Sequence, residues 1–228
     1  MVKYLFLDLD DTILDFRKAE QVAIRKTLAF FGVDPTPEVC TRYSYINKLH
    51  WEALERRELT REQVLTGRFD VLFKELGLEA DSGECAVCYT KNLGQGHYFL
   101  PGAEEALKQL SKKYLLYLVS NGNTYVQKSR LESAKIAPYF QNIFISQEMG
   151  ATKPSKEYFQ RCFEKIDAFD PGCAMIVGDS LTSDILGGKN AGIATCWVNP
   201  THKNANPDII PDYEIESIAQ LEALLQTL

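Results

Sequence analysis

A chain of 228 residues with 45% hydrophobic and 25% charged residues, 14 Gly and 9 Pro has the proportions of a soluble globular protein, which excludes a disordered tail, a collagen or a mucin. Its 25 Lys and Arg against 31 Asp and Glu leave a net charge of −6, so no broad basic surface is available to a polymeric nucleic acid. The length admits one large domain or one domain with another inserted, and no apolar stretch approaches the roughly 20 residues of a membrane span.

The opening run Met-Val-Lys-Tyr-Leu-Phe-Leu is interrupted by Lys3 and ended by Asp8, too short for a signal peptide. With six scattered cysteines and no export signal, we expect reduced thiols and a cytoplasmic protein. Residues 4 to 8 predict a strand buried on both faces, because the apolar run stops at acidic residues instead of alternating through them. From about 17 to 93 the spacing turns helical. Ile24, Leu28 and Phe31 share one face, and Gly32 stands where a helix ends. Thr36-Pro37 opens a second helix carrying Val39, Tyr43, Ile46, His50 and Ala53. Thr60-Arg61-Glu62-Gln63 is a capping box before a third, closed by Gly77. A fourth covers 83 to 93, where Cys85 and Cys88 form a CxxC without a second pair at zinc-ribbon spacing and read as one turn of a helix.

After Gly94 and Gly96, helix and apolar strand alternate: helix 103 to 113, strand 114 to 120, helix 124 to 134, strand 143 to 146, helix 155 to 166, strand 173 to 178, helix 184 to 191, strand 193 to 198. This order predicts an α/β core, residues 1–16 and 95–228, built on a parallel sheet with helices on both faces, and an inserted all-helical cap over residues 17–94.

In such sheets ligands bind beyond the carboxyl ends of the strands. Those ends read Asp8-Leu9-Asp10-Asp11-Thr12, Ser120-Asn121-Gly122 and Gly178-Asp179-Ser180, with Asp184 five residues after Asp179 and Thr152-Lys153-Pro154 before the helix at 155. Carboxylates converging on one crevice raise one another's pKa unless a cation intervenes, and all-oxygen ligands with room for water and phosphate suit Mg²⁺ better than Ca²⁺. A hydroxyl (Ser120), an ammonium (Lys153) and backbone N–H groups around Gly122 suit the remaining oxygens of a phosphate. The inventory describes phosphoryl transfer.

DLDDT at 8 to 12, the strand-ending Ser120, Lys153 before proline and GDSLTSD from 178 to 184 resemble, in order, the four motifs of the haloacid dehalogenase (HAD) superfamily, and the helical insert is similar to its C1 cap. The resemblance implies a Rossmann-like core. It implies that Asp8 is the nucleophile forming an aspartyl-phosphate and Asp10 the general acid and then base. Asp8, the backbone carbonyl of Asp10 and Asp179 would hold Mg²⁺, and Asp184 would orient metal-bound waters. Ser120 and Lys153 would bind the transferred phosphoryl group. Thr12 supports the first loop, and Asn121 and Gly122 shape the second. Asp11 is read as loop structure, Tyr43 and Trp51 as cap core, and His50, His97 and His202 as bystanders.

Members that cleave carbon–halogen bonds lack the second aspartate of the first motif, so Asp10 argues for a phosphate ester. A phosphonate hydrolase would need a desolvated cap lysine, and nothing marks Lys48 or Lys74 as one. A phosphomutase shares the core motifs; a silent binding module would not need them all. The stretch from Gly178 to Pro200, with His50-Trp51-Glu52 through Arg68-Phe69, resembles a subgroup of pyrimidine nucleoside 5′-monophosphate phosphatases. Sugar phosphates, including phosphoglycolate, are the alternative substrates. The expected partner is a small phosphate ester, not a polymeric nucleic acid or a membrane, and the sequence is silent on oligomeric state.

Overall fold

The first apolar run becomes a central strand. In the computed structural model, which describes residues 1–56, 58–204 and 206–228, β1 (Tyr4–Leu7) lies between β2 (Leu115–Ser120) and β4 (Ala174–Gly178). The full parallel sheet runs β3 (Phe140–Ile145), β2, β1, β4, β5 (Ala194–Val198), β6 (Tyr213–Ile215). Every residue of β1 is buried, so both faces of the sheet must be covered, which is why its sequence is a run and not an alternation. Leu5, Leu7, Leu118 and Val177 pack on one face with α5 (Ala103–Leu110), α6 (Thr124–Ser133) and α10 (Leu221–Leu225). Tyr4, Phe6, Val119 and Ile176 pack on the other with α8 (Lys156–Phe163). A side chain at Gly188 of α9 (Leu186–Ala191) would collide with Ile176, so that glycine is what lets α9 approach the same face.

Between β1 and β2 the chain forms α1 (Phe16–Phe30), α2 (Pro37–Glu55), α3 (Arg61–Leu76) and α4 (Ser82–Leu93). Their ends follow the local chemistry. Asp15 accepts from Lys18 N at 2.8 Å to start α1, Thr36 precedes the first-turn Pro37 of α2, and Thr60 and Gln63 cap one another's backbone at the start of α3. Gly77 ends α3 in the left-handed region at φ 64°. These helices bury their own apolar cluster, with Ile24, Tyr43, Phe69, Leu72 and Tyr89 at 0% exposure, each such side chain stabilising by roughly 1.5–3 kcal/mol. Val126 of α6 joins that cluster and so connects it to the α/β core.

The sheet edges differ from the sequence expectation. Strand β3 begins at Phe140, three residues early, because its exposed Gln141 and Asn142 sit on a sheet edge and hide the apolar signal. The opposite edge, β6, has only three residues and was not anticipated, nor were α10 and the four-residue α7 (Ser146–Met149).

Candidate active site

Leu7 is in register with Leu118 of β2 and Val177 of β4, so Asp8, Ser120 and Asp179 leave three neighbouring strands at one edge. The Asp8 N–H continues the ladder to Val177 O at 3.0 Å. After Asp179 the chain makes one wide turn, Leu181–Ile185, in which Ser180 O accepts from both Asp184 N (2.9 Å) and Ile185 N (3.1 Å). Turns of this width concentrate at functional sites, and here it brings Asp184 back so that its Oδ2 accepts from Ser180 N at 3.1 Å. Gly178 makes room: a Cβ there would overlap the Asp184 carboxylate.

Lys153, 2% exposed, donates from Nζ to Asp8 Oδ1 and Asp184 Oδ1, both at 2.6 Å, and to Val119 O at 3.0 Å. Asn121 grips the Lys153 backbone with its carboxamide and reaches Ser183 Oγ at 3.3 Å. A residue that reads as an ordinary surface lysine in isolation is therefore the buried counter-charge of the site.

Carboxylate oxygens of Asp8, Asp179 and Asp184 all lie within 4.8 Å of one another. Burial pushes the Asp8 carboxyl up to about 8 although Lys153 pulls it down, and Asp184 and Asp10 add to the rise. Burial and the charges of Asp8 and Asp184 hold Asp179 well above the usual carboxylate range. For Lys153, burial disfavours the ammonium, but Asp184 and Asp8 outweigh it and raise its pKa. Three carboxylates against one ammonium leave two negative charges when all are ionised, which a divalent ion balances. The donor set holds no His or Cys, and hard oxygen donors of this kind fit Mg²⁺. Asp184, expected to orient metal-bound waters, has a carboxylate oxygen in the same cluster as Asp8 and Asp179.

Asp10 turns elsewhere. Its Oδ2 accepts from Gln127 Nε2 at 2.6 Å and its Oδ1 from Arg130 Nη1, both on α6. The sequence reading missed these two residues. A signal existed, since α6 buries positions 126, 127, 130 and 131, and a stripe drawn through Val126 and Leu131 necessarily includes Gln127 and Arg130 as buried polar groups.

Ser120 Oγ accepts from Gly122 N at 3.0 Å and from Gln127 Nε2 at 2.8 Å. Over this loop lies the start of α3: Arg61 donates to Asn121 O, Gly122 O and Ser146 Oγ at 2.9, 3.3 and 2.7 Å, with Trp51 stacked 5.6 Å from its guanidinium. At the end of α2, Glu55 accepts from Thr182 Oγ1 at 3.0 Å. Asp11, at φ 55°, accepts from Phe16 N at 3.0 Å and so serves the start of α1. Thr12 is wholly buried, and its hydroxyl has no partner among the described residues. His50 contacts Ile46 O, His97 contacts Gln95 O and His202 pairs with Glu216, all outside the carboxylate cluster. Cys85 and Cys88 are free thiols on α4, and Lys48 and Lys74 are exposed. Beside Asp179 a cavity of about 370 Å³ is walled by Thr12, Leu100, Trp197, Asn199 and Lys203.

The sequence profile of haloacid dehalogenase-like hydrolases matches residues 2–192. The chain belongs to this family. Among its HAD relatives, the HAD-hydrolase YfnB of Bacillus subtilis is 41% identical over 97% of this chain and 94% of its own. A crystal structure of YfnB bound to magnesium, reported to reveal interdomain movement, superposes with a TM-score of 0.94 at 40% identity, covering 98% of each chain. The pyrimidine 5′-nucleotidase PynA of Streptococcus pneumoniae is 36% identical over 96% of this chain and 93% of its own. The pyrimidine 5′-nucleotidase YjjG of Escherichia coli is 31% identical over 97% of both. No helix among the described residues is long and apolar enough to cross a membrane.

Proposed function

We propose that this HAD hydrolase is a Mg²⁺-dependent phosphatase of small phosphate monoesters, and that its substrate is a pyrimidine nucleoside 5′-monophosphate. The observation that carries the phosphatase reading is the carboxylate cluster with Lys153 inside it and a further carboxylate, Asp10, held two residues from Asp8. A halide leaving group needs no proton; an alkoxide does, and Asp10 supplies one. The two nucleotidase relatives, aligned over nearly the whole chain, support the substrate class.

In this reading an Asp8 carboxylate oxygen forms a bond to phosphorus while the ester P–O bond breaks, and Asp10 passes its proton to the departing oxygen. Asp10 then takes a proton from water as that water attacks the aspartyl-phosphate, releasing phosphate and freeing Asp8. Lys153, Ser120 and the N–H groups of the 120–122 loop hold the phosphoryl oxygens and offset their charge. Asp8, the Asp10 carbonyl and Asp179 would hold the Mg²⁺, with Asp184 beside them, and the ion supplies charge neutralisation for the phosphoryl group. Helices α1–α4 serve as a cap in which Glu55, at the end of α2, meets Thr182 and Arg61, at the start of α3, meets the 120–122 loop, so that the cap closes over the site and excludes water.

The test is phosphate release with Mg²⁺ across UMP, dTMP, AMP, GMP, glucose 6-phosphate and phosphoglycolate, compared as kcat/KM. A pyrimidine nucleotide should lead. A sugar phosphate or phosphoglycolate exceeding every nucleotide by about tenfold or more overturns the substrate class and leaves the phosphatase chemistry standing.

A further inference from the structure

We propose that Gln127 and Arg130 are positioning residues for Asp10, fixing the carboxylate that exchanges a proton with the leaving oxygen; this rests on the reading of Asp10 as the proton donor. Each Asp10 oxygen has its own donor from α6, Nη1 of Arg130 on Oδ1 and Nε2 of Gln127 on Oδ2. Two donors on one carboxylate fix its plane as well as its place.

Neither donor is free to turn. Arg130 is 0% exposed, and its Nε is committed to Gly96 O at 2.7 Å. Its Nη1 also reaches Gln127 Oε1 at 3.1 Å, which orients the Gln127 carboxamide with Nε2 toward Asp10 and Ser120. Gln127 thereby connects the carboxylate that moves a proton with the hydroxyl beside the phosphoryl site. Asp10 itself keeps 28% of its side chain exposed, while both of its supports are buried. The remaining nitrogen, Arg130 Nη2, is buried without a partner among the described residues. Burying an arginine with an unmet N–H is an unfavourable way to fill a core, and Leu or Met would fill it at less cost. What the arginine provides that those residues cannot is its hold on Asp10, braced by its bonds to Gly96 O and Gln127 Oε1.

Leaving-group dependence separates this role from a general structural one. An alkyl phosphate needs a proton on the departing oxygen; p-nitrophenyl phosphate loses a stable phenolate without one. The measurement is kcat/KM for p-nitrophenyl phosphate and for the best alkyl phosphate of the substrate panel, in wild type, Gln127→Met, Arg130→Lys and Asp10→Asn. Asp10→Asn should lose about 100-fold or more on the alkyl ester and far less on the aryl ester. Gln127→Met and Arg130→Lys should show the same selectivity on a smaller scale, about 10-fold against less than about 3-fold. Adding Gln127→Met to Asp10→Asn should cost nothing further on the alkyl ester. Equal losses on both esters in Gln127→Met with unchanged thermal unfolding would make the pair structural and overturn the inference. Gln127→Met carries the decision if Arg130→Lys does not fold. Absence of selectivity in Asp10→Asn itself would instead remove the proton-donor reading, and this inference with it.

Discussion

The carboxamide of Asn121 brackets the backbone of Lys153, Oδ1 accepting from Lys153 N and Nδ2 donating to Lys153 O, each at 2.9 Å. Lys153 enters the site from a loop, and this pairing ties the loop to the end of β2, so the position of Nζ depends on a residue that never touches it. Asn121→Ala should lower kcat/KM by about tenfold, as a displaced catalytic group does, and lower stability by about 1–3 kcal/mol for two unmatched backbone groups. Kinetics and thermal unfolding check both. A loss of stability with unchanged kinetics would show that Lys153 holds its place without Asn121.

Much of this arrangement is legible in the sequence, for a physical reason. A strand buried on both faces must be apolar throughout, so the residues that end it stand out, and Asp8, Ser120 and Asp179 each follow such a run. Lys153 is legible from its place between the third and fourth strands, before Pro154, although nothing in its own neighbourhood foretells burial at 2% exposure. Gln127 and Arg130 are not legible by that rule because they reach the site sideways from a helix, and the chain gives no strand end to point at them. Asp184 was expected near the site, but its entry into the carboxylate cluster depends on the width of the turn at Leu181–Ile185, which residue spacing does not specify.

Gly178 tests that turn. A Cβ there overlaps the Asp184 carboxylate, whose Oδ1 also accepts from Lys153 Nζ. Gly178→Ala must displace either the strand end or Asp184, with an overpacking cost of about 1–3 kcal/mol. Activity should fall by more than the change in stability explains, because Asp184 is the atom group in the way. Wild-type kcat/KM in a folded Gly178→Ala protein would mean the turn can shift without cost to the site.

Arg61 provides a separate test at the contact between α3 and the core. Burial lowers its pKa, and its described hydrogen bonds go to the carbonyls of Asn121 and Gly122 and the hydroxyl of Ser146 at the start of α7, all outside α1–α4. Replacing it removes contacts made between elements rather than within either one. Arg61→Ala should therefore reduce kcat/KM by about tenfold if closure over the site is needed, while Tm changes by less than about 4 °C, as for a loss under about 1 kcal/mol in a domain of this size. A large fall in Tm with normal kinetics would assign Arg61 to folding alone.

The last prediction follows from the charge imbalance around Asp179. Burial and the charges of Asp8 and Asp184 disfavour its ionised form, and with one ammonium, Lys153, for three carboxylates the metal-free site holds repulsion that the described residues offset only in part. Asp179→Asn keeps the shape and removes one charge. In EDTA at neutral pH the variant should therefore be more stable than wild type, by about 1 kcal/mol or more, the free energy of a one-unit shift. Adding Mg²⁺ should reverse the order. Wild type gains about 2.7 kcal/mol at a metal concentration 100 times its dissociation constant, and the variant, short of a ligand, gains less. Turnover should follow the same pattern, abolished by chelation and restored by Mg²⁺ in wild type, and low in Asp179→Asn throughout. Thermal unfolding of both proteins with EDTA and across a Mg²⁺ titration gives the two curves. Equal Mg²⁺ stabilisation of wild type and Asp179→Asn would take Asp179 out of the metal site, and full activity of EDTA-treated wild type would remove the metal from the chemistry.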